Sequence, residues 1–264
     1  DERGTIFKED GTPYNARIDN LNEVRNAQFI KDVRKTMLNG KWHKSCQRCQ
    51  SEEESGLSSR RQYEQCNWPK HTLQWAESIT QKDGTLDLNK SPLVYYDLRF
   101  GNLCNLACRM CGPEDSHTWY KDHVALEGPE FPDTHGVVKL EKNEKGRWIT
   151  DHYDWHKSYK FWEQLESNLI NIQHVYMAGG EPLMIERHYE FLEKCINENV
   201  ANNIILEYNT NLTNVPQRAL DMWVHFKEVR IGASIDGYGK VLEYQRYPAK
   251  WSAIEKNLRR IDTL

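Results

Sequence analysis

The sequence predicts an α/β fold: a parallel sheet curled into a partial TIM-like barrel. Three observations predict it. From Leu93 onward, four short apolar runs alternate with helical patterns, as parallel strands require because their connections must cross over. Each run ends in a polar turn, typically with glycine. The residues able to do chemistry fall at those same ends, where barrel-type α/β folds bring their loops together. A doubly wound open sheet is the structural alternative.

Residues 1–20 read as polar and turn-rich, with Gly4, Gly11 and Pro13. The spacing predicts an amphipathic helix over Asn22–Leu38, with Phe29, Ile30, Val33 and Met37 on one face and Gly40 closing it. Cys46 and Cys49 follow, and a polar segment, Ser51–Arg61, leads to Cys66. Residues 67–92 lack strong periodicity. The first predicted strand is Leu93–Phe100, and it runs into a loop holding Cys104, Cys108 and Cys111. Residues 112–157 read as a polar insertion, with a helix near Asp115–Val124 and an irregular, charged middle.

A helix over Tyr159–Ile170 precedes the second strand, His174–Ala178, which ends at Gly179-Gly180-Glu181-Pro182. The next helix, Met184–Asn197, places Ile185, His188, Phe191, Leu192, Cys195 and Ile196 on one face, so Cys195 reads as core. The third strand, Asn203–Tyr208, ends at Asn209-Thr210-Asn211. Pro216 suits the first turn of a helix reaching Phe226. The fourth strand, Val229–Ile235, ends at Asp236-Gly237, and Trp251–Leu264 opens another helix.

A net charge of −4 gives no general attraction to nucleic acid or anionic membrane. A mean hydropathy of −0.83 and the lack of a long apolar run exclude a transmembrane helix. No secretory pattern is seen in the sequence given. The seven cysteines fall into groups, 46/49/66 and 104/108/111 with 195 apart, which reads as metal ligation in a reducing, cytoplasmic setting rather than a disulfide framework. Nine Trp and thirteen Tyr in so polar a chain suit an amphipathic core and cleft walls. The chain begins at Asp1 rather than Met and stops inside a predicted helix, so it is expected to be part of a longer or processed protein.

The loop LRFGNLCNLACRMCGPE spaces its cysteines as Cys-x3-Cys-x2-Cys. Three thiolates so close can hold one soft metal centre with a fourth position uncommitted. A four-iron cluster held by three cysteines keeps one iron open, whereas structural zinc needs a fourth ligand, for which His117 is the nearby choice. Gly179 and Gly180 let backbone approach a ligand closely, although Gly-Gly before Pro is also a common strand-to-helix turn. Asn209 and Asn211 offer amide donors and acceptors, or two Asx turns. Asp236 is a carboxylate or a plain turn residue. Arg246 carries a fork suited to carboxylate, or is a surface arginine. The run Glu52–Glu54 reads as a solvated face, and nothing requires Arg60 or Arg61 to bind an acidic group.

Taken together and in this order, Cys104-x3-Cys108-x2-Cys111, Gly179-Gly180-Glu181-Pro182, Asn209-Thr210-Asn211 and Ser234-Ile235-Asp236-Gly237 resemble a radical S-adenosylmethionine (SAM) enzyme over residues 93–264. The resemblance implies a (β/α)6-type barrel and a 4Fe–4S cluster on the three cysteines, its open iron chelated by the amino and carboxylate groups of SAM. It places Gly179, Gly180 and Glu181 at the SAM amino group and Asn209 and Asn211 near SAM or substrate. Ser234 and Asp236 would contact the SAM ribose and carboxylate, and Arg246 would pair with that carboxylate. The implied reaction passes one electron into the sulfonium, giving methionine and a 5′-deoxyadenosyl radical that takes a hydrogen from substrate. An electron donor such as flavodoxin or ferredoxin is implied. Four strands are counted where six are expected, so the barrel reads as truncated after the fourth strand and helix. Weak SAM binding or no turnover is expected of such a piece.

The stretch NEVRNAQFIKDVRKTMLNGKWHKSCQRCQSEEESGLSSRRQYEQ resembles a twitch or SPASM-type auxiliary-cluster region, here N-terminal to the barrel as in certain phage and bacterial radical SAM proteins. It implies a small module over residues 1–70, a connector over 71–92, and Cys46 and Cys49 as ligands of a second cluster, with Cys66 either the third ligand or a free thiol. A zinc knuckle of Cys46, Cys49, Cys66 and His43 is the alternative. Such regions accompany enzymes acting on peptides or proteins, which is the substrate class implied. A zinc- or cluster-binding interaction module without radical chemistry is the competing function. A nucleotide or sugar substrate is a third reading, and the lack of a basic stripe disfavours a nucleic-acid polymer.

Overall fold

The computed structural model describes residues 5–134 and 136–263. The turn read at Gly4 and the helix end read at Leu264 lie outside the described residues. The chain divides into two compact units, one up to Pro92 and one from Leu93 onward.

Among its described residues, the first unit holds five short α-helices, α1 (Leu21–Arg25), α2 (Gln28–Leu38), α3 (Gln47–Glu54), α4 (Arg60–Asn67) and α5 (Leu73–Ile79). The single helix expected over Asn22–Leu38 is therefore two. Asn26 interrupts it because its side-chain amide pairs with the Leu86 backbone in both directions, donating at 3.1 Å and accepting at 2.8 Å. A long-range amide pair of this kind outcompetes continuation of the helix. Most of the polar segment Ser51–Arg61 is also helical or a cap, with Ser59 and Gln62 forming a capping box at the start of α4. Arg61 reaches back to Glu53 with Nη2 2.5 Å from Oε2. Thr72 caps α5 by accepting from the Trp75 N–H. Among the described residues, Ala27 and Ile79 are the only buried apolar side chains of this unit. Directional bonds rather than a core hold it together.

The second unit is mixed α/β. Its four-stranded sheet is wholly parallel, in the order β1 (Tyr95–Arg99), β7 (His174–Ala178), β8 (Ile205–Thr210), β9 (Glu228–Ala233). Short strands lie between and after these: β2 (Ala107–Cys108), β3 (Glu130–Asp133), β4 (Gly136–Lys139), β5 (Glu141–Lys142), β6 (Trp148–Ile149) and β10 (Arg246–Tyr247). The helices are α6 (Tyr120–Glu127), α7 (Tyr159–Glu166), α8 (Glu186–Asn197), α9 (Gln217–Trp223), α10 (Lys240–Gln245) and α11 (Trp251–Ile261).

Alternation along the strands gives the sheet two unlike faces. Leu98, Met177, Tyr208 and Ile231 lie side by side in register on one face, and the first three are buried. Trp162 of α7, His188 of α8 and Trp223 of α9 gather on this side: Trp162 stacks on Phe100, and the other two bond to the Tyr208 hydroxyl. Side chains in register on the other face are mainly polar, as in the row Asp97, Tyr176, Glu207 and Arg230, with Ala178 and Ile205 among them. A doubly wound sheet buries both faces under helices and reads as apolar throughout, so the polar second face disfavours that alternative.

The insertion before α7 is more ordered than its charged sequence suggests. Helix α6 is followed by two antiparallel pairs, β3 with β4 and β5 with β6, in place of an irregular middle. They close over a small core of Tyr120, Phe131, Val138 and Leu140. Four apolar residues scattered among charges suffice once α6 and the β3–β4 hairpin bring them together, with Trp148 of β6 packed against them.

His188 is fully buried, with Nε2 2.7 Å from the Tyr208 hydroxyl and, among the described residues, no partner for Nδ1. Burial, with the charge of Arg218 adding to it, lowers its pKa to about 3. A folded-state pKa below the unfolded value means that stability is complete above about pH 6.5 and is lost as pH falls toward 3. His188→Phe is expected to flatten this acid limb, worth on the order of a few kcal/mol in the parent. Urea midpoints measured from about pH 7 to about pH 4 check it, and equal slopes would remove His188 as the cause. The thin core of the first unit makes a second expectation. Amides of α1–α5 should exchange with deuterium well before those of β7 and β8, as read by mass spectrometry of peptic fragments.

Candidate functional site

The candidate site grows from the C-terminal ends of β1, β7 and β8. Strand β1 delivers the cysteine loop. Cys104 and Cys108 are buried and Cys111 is half-buried. The loop is tied down on several sides. The Ser116 and Thr118 hydroxyls both donate to the Leu106 carbonyl, at 2.6 and 2.7 Å, and Trp119 Nε1 donates to the Cys108 carbonyl at 3.2 Å. Asn102 donates to the Pro113 carbonyl at 2.8 Å. Strand β10 pairs antiparallel with β2, setting Arg246 opposite Cys108. Arg109 then stacks on Tyr244, its guanidinium carbon 3.8 Å from the ring centre.

The two glycines after β7 are required by packing against this loop. Gly179 has φ +80°, and a Cβ there would lie 2.9 Å from both the Gly101 carbonyl and the Phe100 nitrogen. Gly180 has φ +30°, and its Cβ would lie 2.4 Å from the Leu103 carbonyl oxygen. Only glycine permits such backbone-on-backbone contact. The next N–H, of Glu181, donates to the same Leu103 carbonyl at 2.8 Å. The turn thereby clamps the start of the cysteine loop.

Glu181 itself is buried, and its carboxylate faces inward. One oxygen accepts from the Leu183 N–H (3.2 Å) and the Thr210 hydroxyl (2.7 Å), the other from the Asn211 N–H (2.8 Å). Burial pushes its pKa up, and the three donors oppose that. The carboxylate joins the end of β7 to the end of β8. Asn211 continues the connection: its Nδ2 donates to Asn105 at 2.9 Å and lies 3.8 Å from the Cys104 sulfur. Its Oδ1 accepts from the Thr213 N–H and hydroxyl, at 2.9 and 2.6 Å.

After β9, Arg246 Nε sits 2.6 Å from an Asp236 carboxylate oxygen, and its Nη1 lies 4.0 Å from the Cys108 sulfur. The structure thus links Cys104, Cys108, Glu181, Asn211, Asp236 and Arg246 in one neighbourhood. Asn209 stands apart, donating to the Tyr176 hydroxyl at 2.7 Å on the polar sheet face. Ser234 is held by its backbone N–H to the Thr210 carbonyl at 2.9 Å. Asn105, Thr210 and Thr213 were not singled out from sequence. Thr210 stood visibly between the two asparagines, whereas nothing local marks Asn105 or Thr213.

The sulfurs influence one another. The Cys111 thiol donates to Cys108, which lowers the Cys108 pKa and raises that of Cys111, while burial raises Cys104. Among the described residues, no three His, Cys, Asp or Glu side chains converge as a cage for one ion. A single zinc needs donors at about 2.0–2.3 Å from one point. A cluster attaches each thiolate to a different iron and tolerates wider spacing. His117 does not suit a fourth zinc ligand: its Nδ1 accepts the Cys104 N–H at 3.2 Å, and burial lowers its pKa. To bind a metal, the ring would have to give up the Cys104 bond at Nδ1 or its proton at Nε2.

In the first unit, Cys46 closes a short 3-10 turn, Cys49 lies in α3, and Cys66 is exposed in α4. His43 Nδ1 is engaged with Ser45, 2.8 Å from its hydroxyl.

No family model and no curated protein matches the chain. Among solved structures, three of Streptococcus suis SuiB are similar at 15% identity: bound to S-adenosylmethionine (TM-score 0.40), bound to precursor peptide SuiA (0.39), and SuiB itself (0.41). They cover 83%, 91% and 98% of this chain and 43%, 47% and 49% of their own. This chain thus spans less than half the length of those SuiB chains. A likeness at these TM-scores assigns no role to any residue.

Gly180→Ala is expected to destabilise the second unit by about 2 kcal/mol or more, because backbone rather than a flexible side chain must give way. Gly146→Ala, with φ +71° but nothing within 4 Å, should cost only about 1–2 kcal/mol. Urea unfolding of the two variants tests the difference.

Proposed function

We propose that this chain carries the core of a radical SAM enzyme. One observation carries the reading. Three cysteines on the loop after the first parallel strand are clamped by the strand-end turns that the sequence motifs mark, and two of their sulfurs have N–H donors beside them. Cys104, Cys108 and Cys111 would hold a 4Fe–4S cluster. The residues fit that group: an amide and a guanidinium beside buried sulfurs favour thiolate. When bound with SAM, the cluster supplies an electron that breaks the sulfonium C5′–S bond, giving methionine and a 5′-deoxyadenosyl radical that abstracts hydrogen from substrate.

This chain's own residues then have distinct tasks. The Gly179-Gly180 turn and Glu181 fix the loop and keep its entry rigid. Asp236 and Arg246 form a charge pair beside Cys108, where the amino and carboxylate groups of SAM would find opposite charges. The polar sheet face, with Asp97, Tyr176, Glu207, Asn209 and Arg230, is the inner wall of the partial barrel and faces substrate. A peptide or protein substrate is favoured by the likeness of residues 22–65 to twitch regions, in which Cys46, Cys49 and Cys66 would hold a second cluster. The competing reading, a zinc-binding interaction module, is disfavoured by the committed His117 ring.

Anaerobic reconstitution with iron and sulfide, with metal analysis, tests the reading. Cluster absorbance near four irons per site that disappears in the Cys104/Cys108/Cys111→Ala triple variant is expected. Stoichiometric zinc in place of iron, or absorbance undiminished in the variant, overturns it. The share that remains in the triple variant and disappears with Cys46→Ala and Cys49→Ala reports the second cluster.

A further inference from the structure

The three cysteine sulfurs are not equivalent. Asn211 Nδ2 lies 3.8 Å from the Cys104 sulfur and Arg246 Nη1 lies 4.0 Å from that of Cys108, while Cys111 has the Cys108 thiol as its neighbour. Neither donor is placed by chance. The Asn211 amide is held at three points: Oδ1 by Thr213, the backbone N–H by Glu181, and one Nδ2 hydrogen by Asn105. The second Nδ2 hydrogen is left for the sulfur. Arg246 is held by Asp236 at Nε and by the β10–β2 pairing of its backbone opposite Cys108. The fork is therefore aimed, and Nη1 is the end that meets the sulfur.

We infer that Asn211 and Arg246 are positioning residues for the cluster thiolates, and that together they raise its reduction potential. The inference rests on the radical SAM reading and goes beyond it, because the resemblance gives both residues contacts to SAM or substrate instead. Reduction adds one negative charge to the cluster and its sulfurs. An N–H donor or a cation beside a thiolate stabilises that charge, which favours the reduced form. Cys104 receives neutral donors, the Asn211 amide among them, while the Arg246 cation has its N–H against Cys108 and acts on Cys111 only through its charge, so the chain imposes an uneven field on three chemically identical ligands. Glu181 acts at one remove, by holding the Asn211 main chain.

The test is a potentiometric titration with dithionite, followed by EPR of the reduced cluster, on the reconstituted chain without SAM. Asn211→Asp and Arg246→Gln should each lose about tenfold in the reduced-to-oxidised ratio at fixed potential, about 59 mV for a one-electron couple. Arg246→Lys, which keeps the charge, should fall between parent and Arg246→Gln. Midpoints unmoved at equal iron content overturn the inference, and unmoved midpoints with weakened SAM binding would make both residues SAM contacts only. If the Asn211 variant fails to load a cluster, the two Arg246 variants decide. A parent chain that assembles no cluster overturns the underlying reading as well, an outcome distinct from a loaded cluster whose midpoint does not move.

Discussion

The candidate site depends on one buried carboxylate. Glu181 lies in the interior with three hydrogen-bond donors and, among the described residues, no cation on it. Removing a carboxyl group from water is costly, and only a full set of hydrogen-bond partners offsets it. Those donors come from the turn after β7 and from the end of β8, so the carboxyl group keeps its partners only while both strand ends are in place. The Glu181 N–H fixes the cysteine loop through Leu103, and Asn211, held by the same carboxylate, faces Cys104. Disturbing this residue would be felt at the sulfurs without any change at a cysteine.

Around that anchor the two sheet faces divide the work. The face under α7, α8 and α9 is packed with large side chains, Trp162, Phe191, Tyr208 and Trp223 among them. It makes the strands rigid, which sharpens any geometry built on their ends. The other face carries side chains that in water would be ordinary surface, yet they stand in rows set by the strand register. A parallel sheet with one polar face has spent half of its possible core, and the inserted hairpins with their own small core recover part of it. The first unit has made the opposite choice, since it relies on caps, forks and amide pairs with almost no apolar burial.

The motifs at the strand ends were legible because each is short and its chemistry is local. Cysteine spacing, a Gly-Gly turn and an Asx-rich turn announce themselves wherever they occur. Strand positions were also legible, His174–Ala178 to the residue and the others within two or so, because a run of apolar residues between turn signals has few other uses. The helix break at Asn26 was not legible, since its cause is Leu86, sixty residues on. Neither were the hairpins of the insertion, whose four core residues are too sparse to stand out in a window.

The sequence by itself determined the parallel α/β class, the order of the strands and the grouping of cysteines, because these follow from periodicity and from residue types with little alternative chemistry. The tertiary structure alone decided what each polar residue faces. Glu181 points to Thr210 and Asn211, Asn209 to Tyr176, and Arg246 to both Asp236 and Cys108. The reason is physical: a hydrogen bond extends about 3 Å, so the partner of a side chain is fixed by which distant segment folds beside it. The two glycines show the same division. Their need for glycine was visible as a turn, but the Leu103 and Gly101 backbones that exclude a Cβ there arrive only with the fold.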